Sequence, residues 1–102
     1  MFHALQLETV DNVATVVTEV DKGTVLTVQT PSETLTITSV DSIPFGHKIA
    51  LASIEQGGTV TKYGRPLGRA TSSIPKGGMV GAHNVEGRRG RGDLVAGRGA
   101  SK

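Results

Sequence analysis

Ile54-Glu55-Gln56-Gly57-Gly58-Thr59-Val60 is matched twenty residues later by Ile74-Pro75-Lys76-Gly77-Gly78-Met79-Val80. A weaker copy precedes both, Val20-Asp21-Lys22-Gly23-Thr24-Val25. Each copy is an apolar residue, a polar tight turn with Gly, and an apolar residue that starts a strand. Glycine supplies the positive φ that such turns need. Three such corners in a chain of 102 residues predict a compact all-β domain of many short strands. Their spacing is not regular through the chain, which argues against a solenoid.

Upstream of the repeat, segments 13–20, 24–30 and 34–40 read as strands. They are rich in β-branched Val, Ile and Thr, and Leu35-Thr36-Ile37-Thr38 alternates apolar with polar. Asp21-Lys22-Gly23 and Pro31-Ser32-Glu33 separate them, and both spacers carry turn residues. No long window holds a 3.6-residue apolar period free of Gly or Pro. At most one short helix is expected, as a turn near Asp41-Ser42 or over residues 48–53.

Composition agrees with one small domain. Apolar residues make up 36% of the chain but aromatics only 3%, namely Phe2, Phe45 and Tyr63. The core is therefore expected to be built of Val, Ile, Leu and Ala. Cysteine is absent, which excludes disulfide frameworks, thiol catalysis and thiolate metal sites. No apolar run approaches the ~18 residues of a membrane span. The start, Met1-Phe2-His3-Ala4-Leu5, lacks the basic and apolar regions of a signal peptide. A cytoplasmic location is expected.

The net charge of +2 hides an asymmetry. From residue 88 onward five Lys and Arg stand against one Asp, a net +4, whereas residues 1–87 carry six against eight, a net −2. Residues 86–102 are Gly/Arg-rich and almost free of core residues. A domain over residues 1–85 and a flexible or partner-docking tail over 86–102 are expected. Arg-Gly segments also contact nucleic acid, but four arginines without an interleaved aromatic do not point to that partner.

The stretch from 43 to 84 carries the most information. It holds Gly46-His47-Lys48-Ile49-Ala50-Leu51, then Lys62-Tyr63-Gly64, then His83-Asn84. With Asp11-Asn12-Val13-Ala14 upstream, these runs resemble the small SAF-type module of the altronate and galactarate dehydratase family, over about residues 4–93. The resemblance implies a β-clip fold and a large catalytic lyase subunit, either fused to the module or separate from it. It also implies a metal-dependent elimination from a polyhydroxy acid or similar carboxylate. The small subunit of sulfolactate sulfo-lyase is of the same kind. One position departs from the pattern: Gly81 stands where members commonly carry a His two residues before the His-Asn pair.

Residue chemistry limits what the chain supplies. Removing water from a hydroxy acid needs a base for the α-proton, a cation for the enolate and an acid for the leaving hydroxyl. His47 and His83 are candidate catalytic groups, and either is a candidate metal ligand. Lys48, Lys62, Tyr63 and Asn84 are candidate substrate-binding groups. Each also has an ordinary reading: loop histidines satisfied by backbone carbonyls, solvated edge lysines, a half-buried tyrosine before a Gly64-to-Gly68 hairpin, an asparagine capping a turn. No His-x-x-x-His pair and no spaced carboxylates complete a metal site. A divalent ion (Fe2+, Mn2+ or Mg2+) is therefore expected to be shared with the large subunit. The expected function is the small subunit of a sugar-acid dehydratase acting on a hydroxy acid, inactive alone. The alternatives are a non-catalytic carbohydrate-binding or assembly module and a sulfo-lyase small subunit. Whether the chain also forms a homo-oligomer is open.

Overall fold

Val20, Ile43, Ile54 and Ile74 each lead into a turn of one design. In the computed structural model, which describes residues 2–87, the turns close through hydrogen bonds from Thr24 N to Asp21 O (3.1 Å), His47 N to Pro44 O (3.1 Å), Gly58 N to Glu55 O (2.8 Å) and Gly78 N to Pro75 O (2.9 Å). The third residue is Gly23, Gly46, Gly57 or Gly77, with φ between +85° and +89°. A positive φ at that place is what a type II turn requires. The sequence shows two copies plainly and a third more weakly. The fourth, Ile43-Pro44-Phe45-Gly46-His47-Lys48-Ile49, is masked because Phe and His stand where the other copies carry short or polar residues.

Nine strands run through these corners: β1 (Ala4–Leu5), β2 (Val13–Val16), β3 (Val25–Gln29), β4 (Thr34–Thr38), β5 (Lys48–Ala50), β6 (Thr59–Lys62), β7 (Arg65–Ala70), β8 (Met79–Val80) and β9 (Val85–Gly87). One sheet has the order β4-β3-β1-β2-β5-β8 and the other β6-β7-β9. Every pairing is antiparallel except β1 with β3. The all-β expectation holds. No helix forms among the described residues, and 48–53 is β5 followed by a bend.

The turns pair off, and the fold is doubled. Val20 and Ile43 exchange backbone hydrogen bonds of 2.9 and 2.8 Å around the β3–β4 hairpin; Ile54 and Ile74 exchange two of 2.8 Å around the β6–β7 hairpin. Gly46 donates to Val16 O and Val16 to His47 O, both at 2.9 Å. In the second half Gly77 donates to Ala50 O at 2.8 Å and Ala50 to Gly78 O at 2.9 Å. Thus β2 and β5 play in the first half the parts that β5 and β8 play in the second.

Each half has its own core. Leu26, Val28, Ile37, Val20 and Ile43 gather in the first, Val60, Ala70, Ile54 and Ile74 in the second. Strands β2 and β5 serve both, because successive side chains alternate. Ala14, Val16 and Ile49 face the first core, and Val13 and Ala50 the second. Neither core contains an aromatic ring, in line with the expectation from composition. Each well-buried Val, Ile or Leu contributes about 1.5–3 kcal/mol, so many small contributions hold this fold.

The expected boundary at Val85 falls at the start of β9, whose pairing with β7 runs on to Gly87. Val85 packs against the second core. Residues 88–102, most of the Gly/Arg-rich segment, lie outside the described residues. Among those described, no helix is long and apolar enough to cross a membrane.

Candidate functional site

Lys48 opens β5 and lies opposite Thr15 of β2 on one side and Val80 of β8 on the other. Residues facing one another across antiparallel strands share a face. Thr15, Lys48 and Val80 thus continue the row that Val13 and Ala50 begin over the second core. Lys48 is half-buried there. Burial, and then the neighbouring charge of Lys62, hold its amine below the usual 10.5. Lys62 ends β6, and its ammonium sits 4.6 Å from the centre of the Tyr63 ring. A cleft of about 200 Å³ begins at Lys48 and is lined by Leu67, Val80, Gly81, Val85 and Gly87. The Thr15 hydroxyl oxygen is buried, with no hydrogen-bond partner among the described residues.

His47 occupies the last position of the second turn. Its backbone is engaged, donating to Pro44 O and accepting from Val16 N. Its side chain is exposed and does not line the Lys48 cleft. The same position in the other turns is Thr24, Gly58 and Gly78. The turn therefore closes without an imidazole. The next position is likewise Val25, Thr59 or Met79 where this copy has Lys48. The doubled fold provides an internal control, and His47 and Lys48 are where one copy departs from the rest.

Tyr63 differs from its sequence reading. It is exposed and sits at the hairpin tip with φ +57°, followed by Gly64 at +72°. Two successive positive φ values make a two-residue I′ hairpin turn, so the turn is Tyr63-Gly64 and residues 65–68 already belong to β7. Buried Asp11 stabilises this tip. Its carboxylate accepts from Tyr63 N (3.0 Å), Gly64 N (2.8 Å) and Glu8 N (3.2 Å). Beside it Asn12 donates to Thr59 O at 2.9 Å and accepts from Thr61 N at 2.8 Å. Asp11-Asn12 ties the start of β2 to the second hairpin, a link across about fifty residues that a turn reading of the pair could not anticipate.

Asn84 has both arms of its amide on backbone. It accepts from Gly81 N at 3.0 Å and donates to Met79 O at 2.9 Å, which closes the turn after β8. His83 is exposed on that turn, and its ring lies over Gly81: a Cβ built there would be 3.5 Å from Nδ1. The residue at 81 thus sits against the His83 imidazole, which is where the departure from the family pattern falls. The structure brings the Lys62 ammonium to the Tyr63 ring and the His83 turn to the rim of the Lys48 cleft, and it leaves Lys48 within the influence of the Lys62 charge.

Among the described residues no three His, Asp or Glu side chains gather as a metal site. The described part of the chain does not by itself fit a divalent ion. Residues 2–88 match the family described as the altronate/galactarate dehydratase SAF domain. Altronate dehydratase of Escherichia coli (strain K12) is 36% identical over 81 residues, covering 79% of this chain and 16% of that protein. Altronate dehydratase of Bacillus subtilis (strain 168) is 36% identical over 76 residues, 74% of this chain and 14% of that protein. The (2R)-sulfolactate sulfo-lyase subunit alpha of Chromohalobacter salexigens is 40% identical over 82 residues, 78% of this chain and 87% of that subunit. The chain thus spans about a sixth of the E. coli dehydratase and most of the sulfo-lyase subunit.

Proposed function

This chain belongs to the altronate/galactarate dehydratase SAF-domain family, and on that premise we propose that it is the small subunit of a carbon–oxygen lyase, acting with a large catalytic subunit. The observation that carries the reading is the match along 87% of a protein named as one subunit of a lyase, beside 16% of a dehydratase. The reaction proposed is loss of water from a hydroxy acid. A base takes the proton α to the carboxylate, and an acid protonates the departing hydroxyl. His47, exposed on a turn that does not need it, is the group proposed to present an imidazole to the large subunit's site as acid or base. His83 is the second candidate. Lys48 and Lys62 are assigned to the substrate carboxylate, with Tyr63 beside them. The Asn84 amide is already taken up by the turn it closes. A divalent ion would draw most of its ligands from the large subunit, with His47 or His83 adding at most one.

A second reading has its own support. The sulfo-lyase subunit is matched over most of its length, so sulfite in place of water is the alternative leaving group. A non-catalytic assembly or carbohydrate-binding module is the third.

The test is co-purification of the full chain from its native cell, mass spectrometry of what accompanies it, and assay of the complex on altronate, galactarate and sulfolactate. A large lyase subunit and turnover of one of these acids are expected, with no turnover by the chain alone. Turnover by the chain alone, or a companion that is not a lyase, would overturn the proposal.

A further inference from the structure

Of the ten glycines among residues 2–87, eight have a reason visible in the fold. Five take positive φ at the turns described above. A Cβ on Gly58, Gly68 or Gly78 would press on a backbone carbonyl oxygen, that of Glu55, Glu86 or Pro75. Gly81 and Gly87 have neither reason. Both lie outside positive φ. A Cβ at Gly81 would make an ordinary contact of 3.5 Å with His83 Nδ1, and one at Gly87 would meet no described atom within 4 Å. These are the two glycines that line the cleft beside Lys48. A glycine costs backbone entropy on folding, so one that the backbone does not need points to something a side chain would obstruct. Gly81 contributes room and not a hydrogen bond. Its N–H donates to Asn84 Oδ1 and its carbonyl accepts from Asn84 N, both at 3.0 Å. The cleft holds about 200 Å³, less than the ~300–1,000 Å³ typical of sites for drug-sized ligands. A methyl group on so small a lining removes a large share of the space. Leu67, Val80 and Val85 give apolar walls, and Lys48 is the one charged side chain described along them. That lining suits a slender carbon chain with a charged end better than a bulky ligand.

We infer that Gly81 and Gly87 are specificity-determining positions: they keep the cleft clear for the carbon chain of an open-chain hydroxy acid, and so set the length of acid that the site accepts. The place of the acid group at Lys48 belongs to the functional proposal above; the two glycines govern the rest of the molecule. The inference rests on that proposal for the hydroxy-acid class of the ligand, but not for the clearance itself.

The experiment measures by calorimetry the binding of galactarate, a six-carbon acid, and glycerate, a three-carbon acid, to the complex of the full chain with its co-purified partner. Wild type, Gly81→Ala and Gly87→Ala are compared, with melting temperatures taken on the same preparations. Each substitution is expected to weaken galactarate about tenfold and to leave glycerate within about twofold, the first being the scale of one methyl group in a fitted pocket. The melting temperature should hold or rise, because alanine restricts the unfolded chain wherever the native φ admits it. A glycine kept for its backbone behaves otherwise: Gly23→Ala should lower the melting temperature and leave both affinities alone. Equal losses for the two acids, unchanged galactarate affinity in either variant, or a lower melting temperature in either would overturn the inference. So would a wild-type complex that binds no galactarate, the result expected if a stretch of polypeptide fills the cleft. If the length dependence appears but the complex turns over no acid, the two glycines keep their role and the functional proposal falls. If the complex turns over galactarate and both variants do so with the wild-type KM, the functional proposal stands and this inference falls.

Discussion

The carboxylate of Asp11 accepts the backbone N–H of Tyr63 at 3.0 Å, across fifty-two residues of sequence. With the Gly64 N–H at 2.8 Å, it satisfies both donors at the turn that ends β6. Asp11 is only 5% exposed. The Asp-Asn pair before the first long strand is thus the clasp that binds the N-terminal segment to the second half of the doubled fold, and so fixes Lys62 and Tyr63 relative to β2.

Asp11→Ala removes a charged acceptor from three backbone donors, and a loss of about 3 kcal/mol is expected. Chemical denaturation measures it. A loss under ~0.5 kcal/mol, the range of ordinary surface changes, would show that the clasp does not matter.

Tyr63 stands in a left-handed conformation that Asn-Gly turns adopt far more readily. Tyr63→Asn is therefore expected to stabilise the isolated chain by about 0.5–1 kcal/mol, set by the preference of the turn and reduced by the lost Lys62–ring contact. If Tyr63 also contacts substrate, the same variant lowers turnover of the complex. Lower stability would mean that the ring contributes more than the backbone costs.

Gly77 and Gly23 occupy equivalent turns with nearly equal φ, yet their surroundings differ. A Cβ at Gly23 meets nothing within 4 Å, while one at Gly77 overlaps the Thr38 carbonyl oxygen. Gly23→Ala should cost about 1–2 kcal/mol, the backbone term alone. Gly77→Ala adds overpacking of about 1–3 kcal/mol. Equal losses at the two sites would contradict the close approach of the second half to β4.

Lys48 titrates below its ordinary 10.5 because burial and then Lys62 disfavour its charge. In the unfolded chain neither influence acts. The unfolded state therefore binds more protons in the window from the lowered folded pKa up to about 10.4, and stability rises with pH through it. At neutral pH, below both values, the full penalty is present. Lys48→Met should thus raise the melting temperature at pH 7, and its advantage should shrink as pH climbs toward 10. An advantage that does not depend on pH would point to packing instead.

The strands of the first forty residues were legible because β-branched runs and turn spacers agree at each place. The corners were legible where the turn reads Gln-Gly-Gly or Lys-Gly-Gly. The doubling was not, because its fourth turn carries Phe45 and His47, residues with no turn signal of their own. Lys48, Lys62 and His83 could be singled out by type. That the charge of Lys62 reaches Lys48, and that His47 does not line the Lys48 cleft, depends on strand register and on the Asp11 clasp, both set by long-range pairing. Asn84, a substrate-binding candidate with turn capping as its ordinary alternative, has its amide on the backbone of the turn it closes. Thr15 gave no signal at all, because its distinction is a missing partner and not a residue pattern.

The central claim is that His47 is present for chemistry and not for the turn that carries it. The deciding measurement is His47→Ala in the reconstituted complex, with turnover and melting temperature taken on the same preparation. Thr24, Gly58 and Gly78 close the equivalent turns without an imidazole, so the melting temperature should stay within the range of a surface change. Turnover should fall about 10²-fold or more, the scale of a lost proton-transfer group. Full turnover in a well-folded complex, or turnover falling only in step with folded protein, would contradict the account.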